Sequence, residues 1–232
     1  MRVVILQPSY LPWLGYFDQM CKSNVFVLYD DVQYDKHGWR NRNRIKTRQG
    51  PQWLTVPVLL KGWNFPLNRE VRINNTASWQ PKHLKSIIQN YSQAPFFDWF
   101  IGPFENVLRR EWKFLVDLNI ALLNLLKEQL GLATQIHMAS DLGIPRLGKT
   151  ERLIEICRYF GANCLLEGDS GKNYINDTLF TNSGIQIEYH NYQHPVYRQL
   201  HGNFIPYLSV IDLLLNHGSD SKDILTNRKT LA

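Results

Sequence analysis

The sequence predicts an α/β fold: a mainly parallel sheet of about five strands, with an antiparallel β insertion and a helical block between its two halves. Three observations carry this. Short apolar runs near residues 2–7, 25–31 and 162–168 alternate with amphipathic segments at 14–22 and 149–161, the spacing of parallel strands joined by crossover helices. Between residues 36 and 74 the pattern changes to short alternating segments, and from about 79 to 130 it takes a helical period.

RVVILQ (2–7) is a β-branched run closed by Pro8, as a buried strand would be, and LGYFDQMCK (14–22) follows with helical character. VFVLYDD (25–31) is a second strand ending in two adjacent carboxylates, so the opening reads βαβ and its strands are parallel. The β insertion, about 36–74, holds RNRNRIKT, QWLTVPVLL and REVRIN, with Gln49-Gly50-Pro51 as the turn between the first two. KFLVDLNIALLNLLKEQLG (113–131) closes the helical block of about 79–130, its apolar spacing and Gly131 marking a long helix with one buried face. TQIHMAS (134–140) is a weak strand, KTERLIEICRYFG (149–161) a helix capped by Thr150, ANCLLEG (162–168) a third parallel strand, and GIQIEYH (184–190) another. PYLSVIDLLLNHG (206–218) is a helix starting near Pro206 and stopped by Gly218, and the polar residues 219–232 read as a frayed tail. Because the strand and helix alternation resumes after residue 134, the sheet is expected to be Rossmann-like and residues 1–232 a single domain.

A chain of 232 residues, 44% hydrophobic, can bury a core without metals or disulfides. Its 26 Lys and Arg against 20 Asp and Glu give a net charge of +6, which favours anionic partners. Cys21, Cys157 and Cys164 form no CxxC or Cys/His spacing, so reduced thiols are expected rather than a disulfide framework or zinc site. The opening MRVVILQPSYLPW is too short and too interrupted for a signal sequence, and no run of apolar residues is long enough for a membrane span. The expected location is cytoplasmic.

Four constellations could carry chemistry. The loop QPSYLPWLGYFDQ follows the first strand, where an open parallel sheet places its ligand, but it has one glycine and two prolines and is no phosphate cradle. Gln7 could hydrogen-bond a ligand there with Tyr10 and Trp13 as apolar walls; the competing reading is ordinary packing. Of Asp30 and Asp31, one at most faces a pocket as a base or an orienting partner; strand-end Asp also serves plain turns. Arg40, Arg42, Arg44, Lys46 and Arg48 alternate along one predicted strand, so their face should be wet or matched by anions, with Asn41 and Asn43 opposite. YHNYQHPVYRQLHGNF (189–204) gathers His190, His194 and His201, suited to acid–base work; with no HxH or HExxH, no metal site is expected.

QPSYLPWLGYFD, VFVLYDDVQY, WRNRNRIK, WLTVPV, HPVYRQ and FIPYLSVIDLLLNHG, taken together and in this order, resemble the WbqC-like proteins of bacteria over residues 7 to 218. The family pattern falls on Gln7, Pro8, Tyr10, Pro12, Trp13 and Gly15, on Asp30, Asp31 and Gln33, on Trp39, Asn41, Arg42 and Asn43, and on His194, Pro195, Tyr197, Gln199, Ser209, Asp212, Asn216 and Gly218. Leu6 stands where the family usually has a His or similar residue. The resemblance implies a role in bacterial surface polysaccharide (O-antigen) biosynthesis, as a transferase of an acyl or aminoacyl group, glycyl among them, to the amine of a nucleotide-linked sugar. An acyl-CoA or an aminoacyl-tRNA would be the donor.

Such an amine must be neutral to attack, so a base is needed. The expected base is His194, oriented by Asp31 with Asp30 beside it. Arg42 would hold phosphate or carboxylate, Gln7, Gln33, Asn41, Asn43, Tyr197 and Gln199 would read polar edges, and Tyr10 and Trp13 would stack. Two rival readings are an adenylate-forming ligase using ATP and a non-catalytic nucleotide or RNA binder using the cationic ladder. The sequence does not specify an oligomeric state.

Overall fold

A computed structural model of the chain describes residues 1–62 and 65–228. In chain order its strands are β1 (Arg2–Leu6), β2 (Val25–Leu28), β3 (Arg42–Thr47), β4 (Gly50–Thr55), β5 (Val58–Leu59), β6 (Arg72–Ile73), β7 (Ile136–Met138), β8 (Cys164–Gly168) and β9 (Gln186–His190). The helices are α1 (Leu14–Lys22), α2 (Trp79–Tyr91), α3 (Phe97–Leu108), α4 (Leu115–Gln129), α5 (Lys149–Tyr159), α6 (Asp177–Asn182), α7 (Val210–His217) and α8 (Ser221–Leu225). They form two compact units. Met1–Gln7, Asp18–Val32 and Thr134–Gln193 make the first; Pro8–Phe17, Gln33–Ala133 and the chain from His194 onward make the second.

The first unit is built on a five-stranded parallel sheet in the order β7-β2-β1-β8-β9. The central strands β1, β2 and β8 are short, mostly apolar runs largely buried on both faces, as the middle of a parallel sheet requires, while the edge strands β7 and β9 are only partly buried. One face packs Val3, Ile5, Val27 and Leu165 against Leu153, Ile154, Ile156 and Cys157 of α5 and Phe180 of α6. The predicted Rossmann-like α/β architecture is present, and α1 and α5 form where the apolar spacing places them. Thr150 is not the cap of α5: Gly148 holds that position, and the Thr150 hydroxyl accepts instead from the Asn176 N–H at 3.1 Å.

The second unit holds two antiparallel pairs, β3–β4 and β5–β6, and a set of helices. QWLTVPVLL is two strands rather than one, because Pro57 has no N–H to continue the ladder. The hairpin turns on Arg48 and Gln49, with Gly50 at φ 108. The helical block is three helices, broken at 92–96 and 109–114. Helix α7 starts at Val210 rather than near Pro206, because Ser209 caps it, accepting from the Ile211 N–H, while Tyr207 sits at φ 59. Part of the predicted frayed tail is structure. Helix α8 buries Ser221, Ile224 and Leu225, and residues 229–232 lie outside the described residues.

The cationic ladder is also corrected. Only Arg42, Arg44 and Lys46 share a face of β3, since Arg40 precedes the strand and Arg48 lies in the turn. That face is not wet throughout. Lys46 is 0% exposed, and its ammonium donates to Gln199 Oε1 (3.1 Å), the Gly202 carbonyl (3.3 Å) and the Asn203 carbonyl (2.6 Å). A buried cation needs such a cage, and burial lowers its pKa from the ordinary lysine value even so.

Among the described residues no helix is long and apolar enough to cross a membrane. The three cysteines are free, and burial pushes the Cys157 thiol up to about 12.

Candidate functional site

In the first unit, β1 connects to β2 on one side and β8 lies on the other, so the strand order reverses between β1 and β8. Open parallel sheets bind ligands at the carboxyl ends of the strands beside such a reversal. Gln7 follows β1 there, half-buried, and Glu167 and Gly168 end β8.

Glu167 is 4% exposed. Its Oε1 accepts from the Gly168 N–H at 3.0 Å and from the Tyr174 hydroxyl at 3.4 Å. Burial outweighs these two bonds and raises the carboxyl to about 7, so it exchanges its proton near neutral pH. Gly171, in the short turn after β8, leaves the room this side chain occupies: a Cβ there would lie 2.3 Å from Glu167 Cγ. Gly171→Ala is expected to displace Glu167 and lower stability by about 1–3 kcal/mol, read by urea unfolding at pH 7.

Asp31, just past β2, is bound by Arg152 of α5 in a largely buried ion pair, and the guanidinium lies 5.4 Å from the Tyr29 ring. Asp31 Oδ1 and Arg152 Nε are buried and make no hydrogen bond among the described residues. Unmade polar bonds of this kind are costly, and they leave one acceptor and one donor uncommitted at the sheet edge. Asp30 is spent on structure, its Oδ1 accepting from the Ser140 N–H at 3.0 Å and so fastening the end of β2 to the segment after β7.

At the end of β9, His190 Nε2 lies 2.6 Å from Asp18 Oδ2, which also receives the Lys22 ammonium at 2.6 Å. The His190 ring stacks on Tyr192 at 5.6 Å.

The remaining predicted residues belong to the second unit. His194 Nδ1 hydrogen-bonds the Pro195 carbonyl (2.8 Å), and its Nε2 accepts from the Tyr207 N–H (3.2 Å). Burial lowers its pKa, so the ring is neutral. It stacks on Trp13 at 6.5 Å and on Tyr197 at 6.3 Å.

Tyr10 is fully buried, with its hydroxyl 2.9 Å from His83 Nδ1, and burial brings His83 down to about 4. Tyr10→Phe is expected to cost about 1–3 kcal/mol in a thermal melt by leaving that nitrogen unpaired. Asn41 donates to the Val56 carbonyl at 2.8 Å and Asn43 to the Leu11 carbonyl at 2.6 Å, so both side chains hold backbone. Gln33 is exposed and bridges to Leu67 through the backbone. Arg42 donates to the His37 and Gly38 carbonyls and lies 4.8 Å over the Trp53 ring.

Tyr197 and Gln199 join a buried network. The Tyr197 and Tyr91 hydroxyls donate to Asp212 at 2.9 and 2.8 Å, and Gln199 accepts from Lys46 and from the Ile205 N–H (2.9 Å). Asp212 is fully buried, which raises its carboxyl to about 6.

Sequence reasoning singled out His190 but not its partner Asp18, nor Glu167, Arg152 or Tyr174. Glu167 carries one legible signal, an acid closing an otherwise apolar strand. Asp18 and Arg152 sit in helices whose periodicity describes packing alone. Among the described residues no three His, Cys, Asp or Glu side chains gather as metal ligands.

The model of the WbqC-like protein family matches residues 7–224. The chain is 38% identical over 229 residues to the uncharacterized protein Rv1507c of Mycobacterium tuberculosis, a match covering 97% of each. No solved structure matches it. With nearly the whole sequence aligned to one family model and to a full-length relative, the chain belongs to the WbqC-like protein family.

Proposed function

We propose that the chain is a cytoplasmic transferase of bacterial surface polysaccharide (O-antigen) biosynthesis, moving an acyl or aminoacyl group, glycyl among them, onto the amino group of a nucleotide-linked sugar. One observation carries the reading: a buried carboxyl at about 7 stands at the reversal point of a parallel sheet. An ammonium must lose a proton before it attacks, and a base matched to neutral pH removes it with the least penalty. Glu167 takes that proton, the amine nitrogen forms a bond to the acyl carbon, and the thioester or ester bond of an acyl-CoA or aminoacyl-tRNA donor breaks. Arg152 and Asp31 act electrostatically on Tyr29, as Glu167 does, and their unpartnered Nε and Oδ1 are the donor and acceptor available to a polar substrate group that enters there.

The test incubates the full chain with acetyl-CoA or glycyl-tRNA and a UDP-linked amino sugar, and follows product mass. Glu167→Gln is expected to lower turnover by about 10²–10⁴-fold and to remove a rise in rate centred near pH 7. His194 is the other candidate base. Turnover retained in Glu167→Gln and abolished in His194→Ala moves the role to His194; no product with any such pair removes the transferase reading.

A further inference from the structure

We propose that the β3–β4 hairpin carries a second site, a stacking surface for a nucleobase bearing phosphate, made by Trp39, Trp53, Arg42 and Arg44. The site lies within the second unit and stands whether or not the chain transfers acyl groups. Trp53 faces Arg44 across the hairpin, and antiparallel partners share a face. The Trp39 and Trp53 rings are 5.2 Å apart, tilted by 34°, and remain 39% and 46% exposed. Arg42 lies 4.8 Å from the Trp53 ring, and Arg44 lies 5.7 Å from both rings.

Neighbouring groups hold the guanidiniums in place. Arg42 gives Nε and Nη2 to the Gly38 and His37 carbonyls, and Arg44 gives Nη2 to the Tyr207 carbonyl. Arg44 Nε is buried and makes no hydrogen bond among the described residues. No acid occurs in the sequence between Asp35 and Glu70, and no ion pair holds Arg42 or Arg44 among the described residues. A hairpin stabilising only itself would bury its indoles or pair its cations with carboxylates.

Two open indoles interleaved with unpaired guanidiniums match a ligand with a flat ring and an anion on one frame. Inorganic phosphate uses the arginines alone and a neutral aromatic uses the indoles alone; a nucleotide uses both. The nucleotide has two possible sources, a free nucleotide (a nucleotide-linked sugar included) or the unpaired bases of an RNA.

Isothermal titration of the full chain with AMP, UMP, pyrophosphate and a short single-stranded RNA tests this. Mononucleotides or RNA should bind more tightly than pyrophosphate. Trp53→Ala should weaken that binding by about tenfold, and Trp53→Phe should restore most of it. Trp39→Ala provides an independent variant, with unchanged circular dichroism confirming each fold. RNA binding that strengthens with length and falls steeply with salt identifies RNA as the source; equal affinity for mononucleotide and RNA identifies the free nucleotide. Binding no tighter than that of pyrophosphate, or affinity unchanged in both alanine variants, overturns the site and leaves the stack as internal support for the hairpin.

Discussion

Replacing Asp212 by Ala is expected to lower the stability of the second unit by about 3–5 kcal/mol, the range for opening a buried polar network on one side. Asp212 accepts from the hydroxyls of Tyr91 and Tyr197, and Tyr91 in turn accepts from the Lys46 N–H at 2.8 Å. Without the carboxylate both phenols lose their acceptor in a buried site, and the Lys46 ammonium loses its neighbouring negative charge. Asp212→Asn keeps one acceptor oxygen and should fall between wild type and Ala. Urea unfolding measures the loss. Hydrogen exchange locates it, with residues 197–205 deprotected first, because Lys46 and Gln199 fasten that segment. A loss under 1 kcal/mol, to order of magnitude, would sink this account of the network.

The second large effect concerns pH. The Glu167 carboxyl has an ordinary value of 4.5 and stands at about 7 in the folded chain. Between those values the folded state holds a proton that the unfolded state has released, so stability falls as pH rises across the interval and levels off above it. Glu167→Gln has no such proton. Its stability relative to wild type should therefore climb by roughly 3 kcal/mol between pH 4.5 and pH 8, on the scale of 1.36 kcal/mol per pKa unit. The comparison must be a difference between the two proteins, because His83 acts with the opposite sign: its folded value near 4 lies below the ordinary 6.5, so its contribution rises with pH over that range. A difference that stays flat with pH would mean that Glu167 titrates as an ordinary carboxylate.

The parallel sheet and its helices were legible because a buried strand and an amphipathic helix write their periods into the chain, as in RVVILQ and LGYFDQMCK. Helix starts were less so. Ser209 and Gly148 set α7 and α5 through local backbone geometry, which the more conspicuous Pro206 and Thr150 obscured. Lys46 shows why the cationic ladder misled. Alternation fixes the face a side chain takes, yet only distant carbonyls at Gly202 and Asn203 make burial of an ammonium tolerable, and a strand's own residues carry no trace of them. Glu167 was hidden for a related reason. Its near-neutral carboxyl arises from surroundings contributed by Tyr174 and Gly171 and from the depth of β8 in the sheet.

Both units are stitched from separated stretches, the chain passing from one to the other five times, after residues 7, 17, 32, 133 and 193. The central β1 gains its β8 neighbour only when residue 164 arrives, and the Tyr91 phenol meets its carboxylate only at residue 212. On a ribosome, neither unit can close until most of the polypeptide has emerged, and the nascent β1–β2 pair must keep an unsatisfied edge exposed in the meantime. Excising either unit with a single cut would leave a fragment short of the strands or helix that complete it.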